Sequence, residues 1–412
     1  MLTESGWDRT DVVIEDGHIV AMGEGLGTGH VVDASDCLVG PGFVDLHTHL
    51  REPGQTWKED IASGSAAAAA GGYTAVVAMP NTEPPTDSAT AAAQVARIGR
   101  EVGVTEVLPA GTLTVGRSGA IPAPVDELYE AGVRMFTDDG DSVADVDVLR
   151  NVMGAVASLP GAVVAQHAED IRLTVHGHMH EGSVSRRLGI RGLPAAAEVD
   201  VVRRDLGLVA ETGVAYHCQH ISSRLTLEEI GAAKARGLAV SAEVTPHHLT
   251  FDHTDLEDLG TDFKMYPPLR GPEDRMALIA ALKDGTIDVV GTDHAPHTVE
   301  EKAVPFTAAP RGVIGLETAA AAVWEALEDR ERLFEVMSRA PARLLGLQDQ
   351  GRPLAVGSAA NIVVFDPGAR WVATSFASKS ANSPYLGRMM TGAVTATLHR
   401  GRLVHEIGAR TI

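Results

Sequence analysis

The sequence predicts an α/β fold, a (β/α)8 barrel of the TIM type with a small β-sandwich domain built from both chain ends. Three observations carry this expectation. Eight short apolar runs recur along the middle of the chain, segments able to hold a helix separate them, and both ends alternate apolar and polar residues as half-buried strands do.

The eight runs are Phe43 to His47, Thr74 to Met79, Glu106 to Ala110, Val133 to Phe136, Ala162 to Gln166, Val214 to Gln219, Leu238 to Val244 and Ile287 to Gly291. Turn residues bound each run. Between them, Ser88 to Arg100, Val143 to Leu159, Ala195 to Glu211, Leu225 to Ala235 and Glu273 to Lys283 read as amphipathic or alanine-rich helices. Thr318 to Leu345 reads as two further helices covering the barrel. At the ends, Asp11 to Met22 is rich in Val and Ile around Asp16-Gly17, a hairpin signature, and Ala359 to Asp366 and Val394 to His405 read as strands. A chain of 412 residues exceeds the usual size of a single core. The expected division is a barrel over residues 43–350 and a small β domain from residues 1–42 with 351–412.

Composition narrows the function. With 44% hydrophobic and 22% charged residues the chain is globular, and a formal charge of −21 excludes nucleic acid and anionic membranes as partners. Cys37 and Cys218 are its only cysteines, too few for a disulfide framework. Met1 to Ile14 carries acidic residues and no apolar run of the signal-peptide kind, so a cytoplasmic protein is expected. Ala62 to Met79 comes nearest to a membrane span, but Ala and Gly contribute little hydrophobicity and Gly71-Gly72 reads as a helix stop.

Five clusters of metal-ligating residue types each fall just past one of the apolar runs: Asp45-Leu46-His47-Thr48-His49, Asp138-Asp139, His167, His220 and Asp293. In a parallel barrel the C-terminal strand ends converge on one mouth. His47 and His49, two residues apart on a strand, point to one face. Each of the others has an ordinary reading when taken singly: Asp-Asp-Gly as a turn, a lone His as a satisfied core residue, Asp293 as a cap. Together they describe a two-metal hydrolytic centre, with His47, His49 and Asp293 on one metal, His167 and His220 on a second, and a bridging carboxylate. His176, His178 and His180 read as part of a solvated loop, and His247 and His248 as residues that orient ligands. His294 to Gly315, rich in Pro, Ala and Gly, reads as an active-site lid.

Longer motifs carry a resemblance. Asp45-Leu46-His47-Thr48-His49-Leu50-Arg51-Glu52-Pro53-Gly54, Met79-Pro80-Asn81-Thr82, the Lys264 to Arg270 segment, Thr292-Asp293-His294-Ala295-Pro296-His297 and Gly315-Leu316-Glu317-Thr318 resemble the amidohydrolase superfamily, and within it dihydroorotases of the bacterial class I type. The resemblance implies one or two zinc ions per chain, bound by His47, His49, Asp139, His167, His220 and Asp293. It implies substrate contacts from Arg51, Asn81, Tyr266, His297, Arg311 and the Gly312 backbone. The implied reaction is the reversible cyclisation of N-carbamoyl-L-aspartate to L-dihydroorotate in pyrimidine biosynthesis, with Asp293 moving the proton and the Arg51 fork taking a carboxylate. A homo-oligomer and an association with aspartate transcarbamoylase are admitted on the same grounds.

Related cyclic amidohydrolases, such as hydantoinases and allantoinases, commonly bridge their metals with a carboxylated lysine after strand four. No lysine lies between Lys58 and Lys234 here, which leaves Asp139 as the natural bridge. Two positions depart from the class I pattern: Tyr266 stands where Asn is usual, and Arg311 where a neutral residue is familiar. A phenol cannot present an amide's separate donor and acceptor, which keeps a hydantoinase- or allantoinase-like activity as an alternative. A catalytically silent subunit of a transcarbamoylase complex is a second alternative, although silent relatives typically lose metal ligands and this chain has them all.

Overall fold

The computed structural model describes residues 1–27 and 29–407; Thr28 and residues 408–412 of the expected terminal domain lie outside the described residues. Eight parallel strands alternate with helices through the middle of the chain: β1 (Phe43–Thr48), β2 (Tyr73–Ala78), β3 (Glu106–Pro109), β4 (Met135–Phe136), β5 (Val163–Gln166), β6 (Tyr216–Cys218), β7 (Val240–Val244) and β8 (Val289–Val290). Every residue of β1, β2 and β5 is buried, as expected of parallel strands covered on both faces. Val44, Leu46, Val77, Met79, Met135, Ala165 and Val289 pack into one apolar cluster, while Phe43, Tyr73, Val76, Phe136, Val164 and Tyr216 face another, shared with the helices.

The ladders form two parallel sheets, β1-β2-β3 and β8-β7-β6-β5-β4. At both seams contact narrows to a single parallel bridge, Gly111 with Phe136 and Thr48 with His294. The cause is local. β4 and β8 have only two residues each, and Asp293 beyond β8 takes φ 47°, so the chain leaves extended geometry where a ladder would continue.

Helices begin where the sequence supplies caps. Asp60 accepts from the Ser63 amide in a capping box ahead of Ile61–Ala70, and Ser88 caps Ala89–Val102 while Gly103 ends it at φ 64°. The Ala62 to Met79 stretch is therefore a helix followed by β2, and no helix among the described residues is long and apolar enough to cross a membrane. After the last strand comes Leu316–Leu327. A second helical stretch follows, with a π-type turn at Glu335–Arg339 set between Arg330–Phe334 and Ala340–Leu344.

Both chain ends meet in antiparallel sheet. Leu38–Pro41 pairs with Ile362–Val372, which pairs with Met389–His399 and in turn with Arg402–Glu406. Asp11–Glu15 and His18–Gly23 form the expected hairpin, turning through Asp16 at φ 47° and Gly17 at φ 84°. Ile19, Val39, Leu354, Ile362, Val364 and Ala396 pack together between them.

Candidate metal centre and substrate mouth

His47, His49, Asp139, His167, His220 and Asp293 converge at the C-terminal strand ends, all buried. Asp139 Oδ1 lies 3.2 Å from His47 Nε2, 3.7 Å from His220 Nε2 and 4.0 Å from His167 Nδ1. Asp293 Oδ1 lies 3.0 Å from His49 Nε2 and 3.5 Å from His47 Nε2. Ligand atoms fall within 4.8 Å of one another in two triads, His47–His49–Asp293 and His47–Asp139–His220. His47 is thus common to both, and His167 stands beside the second triad with its Nδ1 2.9 Å from His220 Nε2.

Neighbouring side chains set the imidazole tautomers. His47 Nδ1 donates to Glu243 Oε1 at 2.6 Å, and His49 Nδ1 to Asn81 Oδ1 at 2.9 Å, which turns both Nε2 atoms toward the carboxylates. Glu243 also accepts from His217 Nε2 at 3.1 Å and from the His220 amide at 3.0 Å. Asp138 turns away and accepts from the Leu113 and Thr114 amides at 2.9 and 3.1 Å, so Asp139 alone of the pair faces the histidines.

Burial alone would disfavour charge throughout this cluster, but the charges compensate one another. Burial opposes a protonated His47, yet Asp139 and Glu243 outweigh it and carry its pKa well above the ordinary histidine value. Burial likewise opposes an ionised Asp293, but the His49 hydrogen bond and the charge of His47 bring its pKa down to about 2. His47 Nε2 and Asp139 Oδ1 remain buried without a hydrogen-bond partner. A ring nitrogen and a carboxylate oxygen facing each other at 3.2 Å without a hydrogen bond, in a buried nitrogen and oxygen donor set, fit a divalent cation that would take the place of the His47 proton.

Backbone strain concentrates here. Arg51, His220 and Asp293 adopt φ of 58°, 31° and 47°, a conformation that costs a non-glycine residue about 1–3 kcal/mol and recurs at functional sites.

The expected substrate residues ring the cluster, with differences in how free they are. Arg51 donates through Nε to the Pro296 carbonyl at 3.3 Å; burial draws its pKa down to about 10, which leaves it a cation. Asn81 is engaged by His49, and its Nδ2 lies 3.5 Å from Asp139 Oδ2. His297 uses both ring nitrogens, one 2.8 Å from the Arg311 carbonyl and one 3.3 Å from Glu301 Oε2. Tyr266 packs on His167 with ring centroids 5.2 Å apart, and the Arg311 guanidinium lies 3.7 Å over the Tyr266 ring while donating to the Gly177 carbonyl at 2.9 Å. Gly312 sits at φ 119°, where a Cβ would come within 2.7 Å of the Ala295 Cβ. A narrow cleft lined by Glu169, Glu198, Arg270 and Tyr266 opens beside His167 and His220.

Three expectations change. The His294 to Gly315 stretch is tied down: Lys302 Nζ donates to the Thr261 and Pro310 carbonyls and Lys264 Nζ to those of Phe306 and Ala309, because buried ammonium groups require acceptors. Among the described residues no hydrogen bond joins the His247 or His248 ring to the clustered histidines and aspartates; His248 bonds Thr245 and the Pro267 carbonyl, and Glu243 orients His47. Of the His176, His178 and His180 group, His180 leaves the loop for a two-residue strand, half-buried near Arg270. Glu243 was legible as a lone carboxylate inside the apolar Val240–Val244 run. Asp45, which the first motif contains, accepts from the His47 amide at 3.0 Å and bonds Thr292, while Asn382, which also holds the mouth together, carried no such signal.

An α/β scaffold of parallel strands, with a buried His/Asp cluster at the strand ends and an arginine at its edge, defines an amidohydrolase, a metal-dependent hydrolase of cyclic amides. The comparisons with known proteins agree. Residues 37–226 match a family described as Dihydro-orotase-like. Dihydroorotases of Mycobacterium tuberculosis and Pelobacter propionicus are 45% and 42% identical to the chain, each over 97% of it and 96% of the relative. L-Hydantoinase from Arthrobacter aurescens superposes with a TM-score of 0.85 at 25% identity, over 100% of this chain and 95% of that one. The chain belongs to the dihydroorotase family.

Proposed function

We propose that this chain interconverts N-carbamoyl-L-aspartate and L-dihydroorotate, using one or two zinc ions held by His47, His49, Asp139, His167, His220 and Asp293. The observation that carries the reading is the unpartnered His47 Nε2 and Asp139 Oδ1 at the centre of a buried cluster edged by a cationic arginine. When bound, the metal polarises an amide carbonyl and makes water nucleophilic near neutral pH. Asp293, ionised at that pH, accepts the proton of the attacking water and passes it to the departing ring nitrogen; in cyclisation it takes the proton of the carbamoyl nitrogen. Arg51 presents the free end of its fork to a substrate carboxylate. Asn81, Tyr266, His297, Arg311 and the Gly312 backbone complete the mouth.

The same proposal takes the eight strands, bridged at both seams, as one (β/α)8 barrel over residues 43–350, with a β-sandwich from residues 1–42 and 351–412. It places the protein in the cytoplasm, on its two cysteines. A homo-oligomer and an association with aspartate transcarbamoylase complete it, and size-exclusion chromatography of the chain, alone and mixed with a transcarbamoylase, tests both.

The deciding experiment assays the purified, zinc-loaded chain on dihydroorotate and N-carbamoyl-aspartate, with hydantoin and allantoin in parallel and Asp293→Asn as control. Turnover of dihydroorotate alone, lost in the control, is the expected result. Turnover of hydantoin or allantoin instead would transfer the reading to those ring substrates. Silence on all four with metal bound would favour a non-catalytic subunit.

A further inference from the structure

The segment joining Ile362–Val372 to Met389–His399 leaves the terminal sheet and crosses to the mouth of the parallel strands. Along it, Ser378 bonds Glu59, Lys379 bonds Asp60 and the Thr56 carbonyl, and the Ser380 hydroxyl donates to the Lys58 carbonyl at 2.8 Å. These contacts hold the loop that follows Arg51. Asn382, buried at 4% exposure, then reaches the other side of the mouth. Its Oδ1 accepts from the His297 amide at 3.1 Å, and its Nδ2 donates to the Ala295 and Gly312 carbonyls, each at 3.1 Å. Its own carbonyl accepts from the Ile314 amide at 3.0 Å.

One carboxamide therefore ties together both ends of the excursion that carries His297 and Arg311. The chemistry needs an amide: one acceptor and two donors from a single planar group, which neither a carboxylate nor a hydroxyl supplies. No other side chain among the described residues bonds both Ala295 and Gly312. Distance matters in such a mouth, since displacement of a binding group by about 1 Å is enough to lose productive geometry.

We propose that Asn382, delivered by the C-terminal segment, is a positioning residue that sets His297 for the substrate carboxylate by tying it to the Gly312 turn, whose own amide is held by the Lys264 carbonyl at 2.9 Å. The inference rests on the dihydroorotase reading above. It also unites the two parts of the molecule functionally: the terminal sheet supplies the strap that shapes the mouth.

The test compares Asn382→Ala with the wild-type holoenzyme. The variant should raise KM for N-carbamoyl-L-aspartate about tenfold, the worth of roughly one or two hydrogen bonds, with kcat within about threefold and metal content unchanged. In a His297→Ala background the same substitution should change KM by less than about twofold, since the two residues act together. Additive effects, or a fall in kcat at constant KM, would overturn the proposal. Asn382→Asp keeps the acceptor and loses both donors; it should shift KM in the same direction and serves where the alanine variant does not fold. Amide hydrogen exchange at His297 gives a readout without turnover. Faster exchange in the variant is expected whatever the substrate, and unchanged exchange would overturn the positioning role. Faster exchange in an enzyme silent on dihydroorotate would overturn the reaction assignment and leave the contact standing.

Discussion

His47 Nε2 stands 3.2 Å from Asp139 Oδ1, and neither atom has a hydrogen-bond partner. Without a cation the charges of Asp139 and Glu243 hold a proton on His47, and a divalent cation between the two atoms would replace that proton. Asp139→Asn keeps the shape and removes the charge, so metal content should fall by about one ion per chain, together with the activity. Chelation of the wild type should lower its unfolding temperature, because a ligand at about 1,000 times its Kd stabilises the folded state by about 4 kcal/mol. Metal analysis alongside calorimetry checks both; an Asp139→Asn protein with full metal content would refute the bridging role.

Glu243 fixes His47, His217 and the backbone of His220 at once. Replacing it by Gln should weaken metal affinity about 10- to 100-fold, the usual effect of losing a carboxylate that orients a ligating histidine. Competition against a chromophoric chelator measures this directly, and an affinity equal to wild type would remove Glu243 from the metal site.

Tyr266 bears the Arg311 guanidinium on its ring, and its hydroxyl makes no hydrogen bond among the described residues. Tyr266→Phe should therefore leave kcat/KM within about twofold. Tyr266→Ala should lose the stack, with a KM increase of about 2- to 13-fold for an interaction of about 0.5–1.5 kcal/mol. Steady-state kinetics of the pair separates ring from hydroxyl; a larger loss in the Phe variant than in the Ala variant would show that the phenol contacts substrate.

Lys302 is buried, and that burial pushes its pKa down from 10.5 to about 8. Between those values the unfolded chain binds more protons than the folded one, so stability rises with pH across the window and is lost as pH falls through about 8. One fully titrating group contributes a slope of up to about 1.4 kcal/mol per pH unit. Urea unfolding from about pH 7.5 to 10 should show this component in the wild type and its absence in Lys302→Met. Parallel curves for the two proteins would contradict it.

Much of this architecture was legible in the chain itself. Short apolar runs bounded by turn residues marked eight strands and amphipathic or alanine-rich segments the helices between them within a few residues, Asp16-Gly17 marked the hairpin, and His47-Thr48-His49 and Asp293 stood at strand ends, where the C-terminal ends converge. Local patterns report which face a residue occupies; they carry no information about which distant residue it meets. So the pairing of Glu243 with His47, the shared place of His47 in both triads, and the reach of Asn382 to His297 were decided by tertiary structure alone. Likewise the composition of His294 to Gly315 reads as an active-site lid, and only packing shows that two buried lysines need its carbonyls. Short-range propensity made the elements, and long-range satisfaction of buried polar groups made the site.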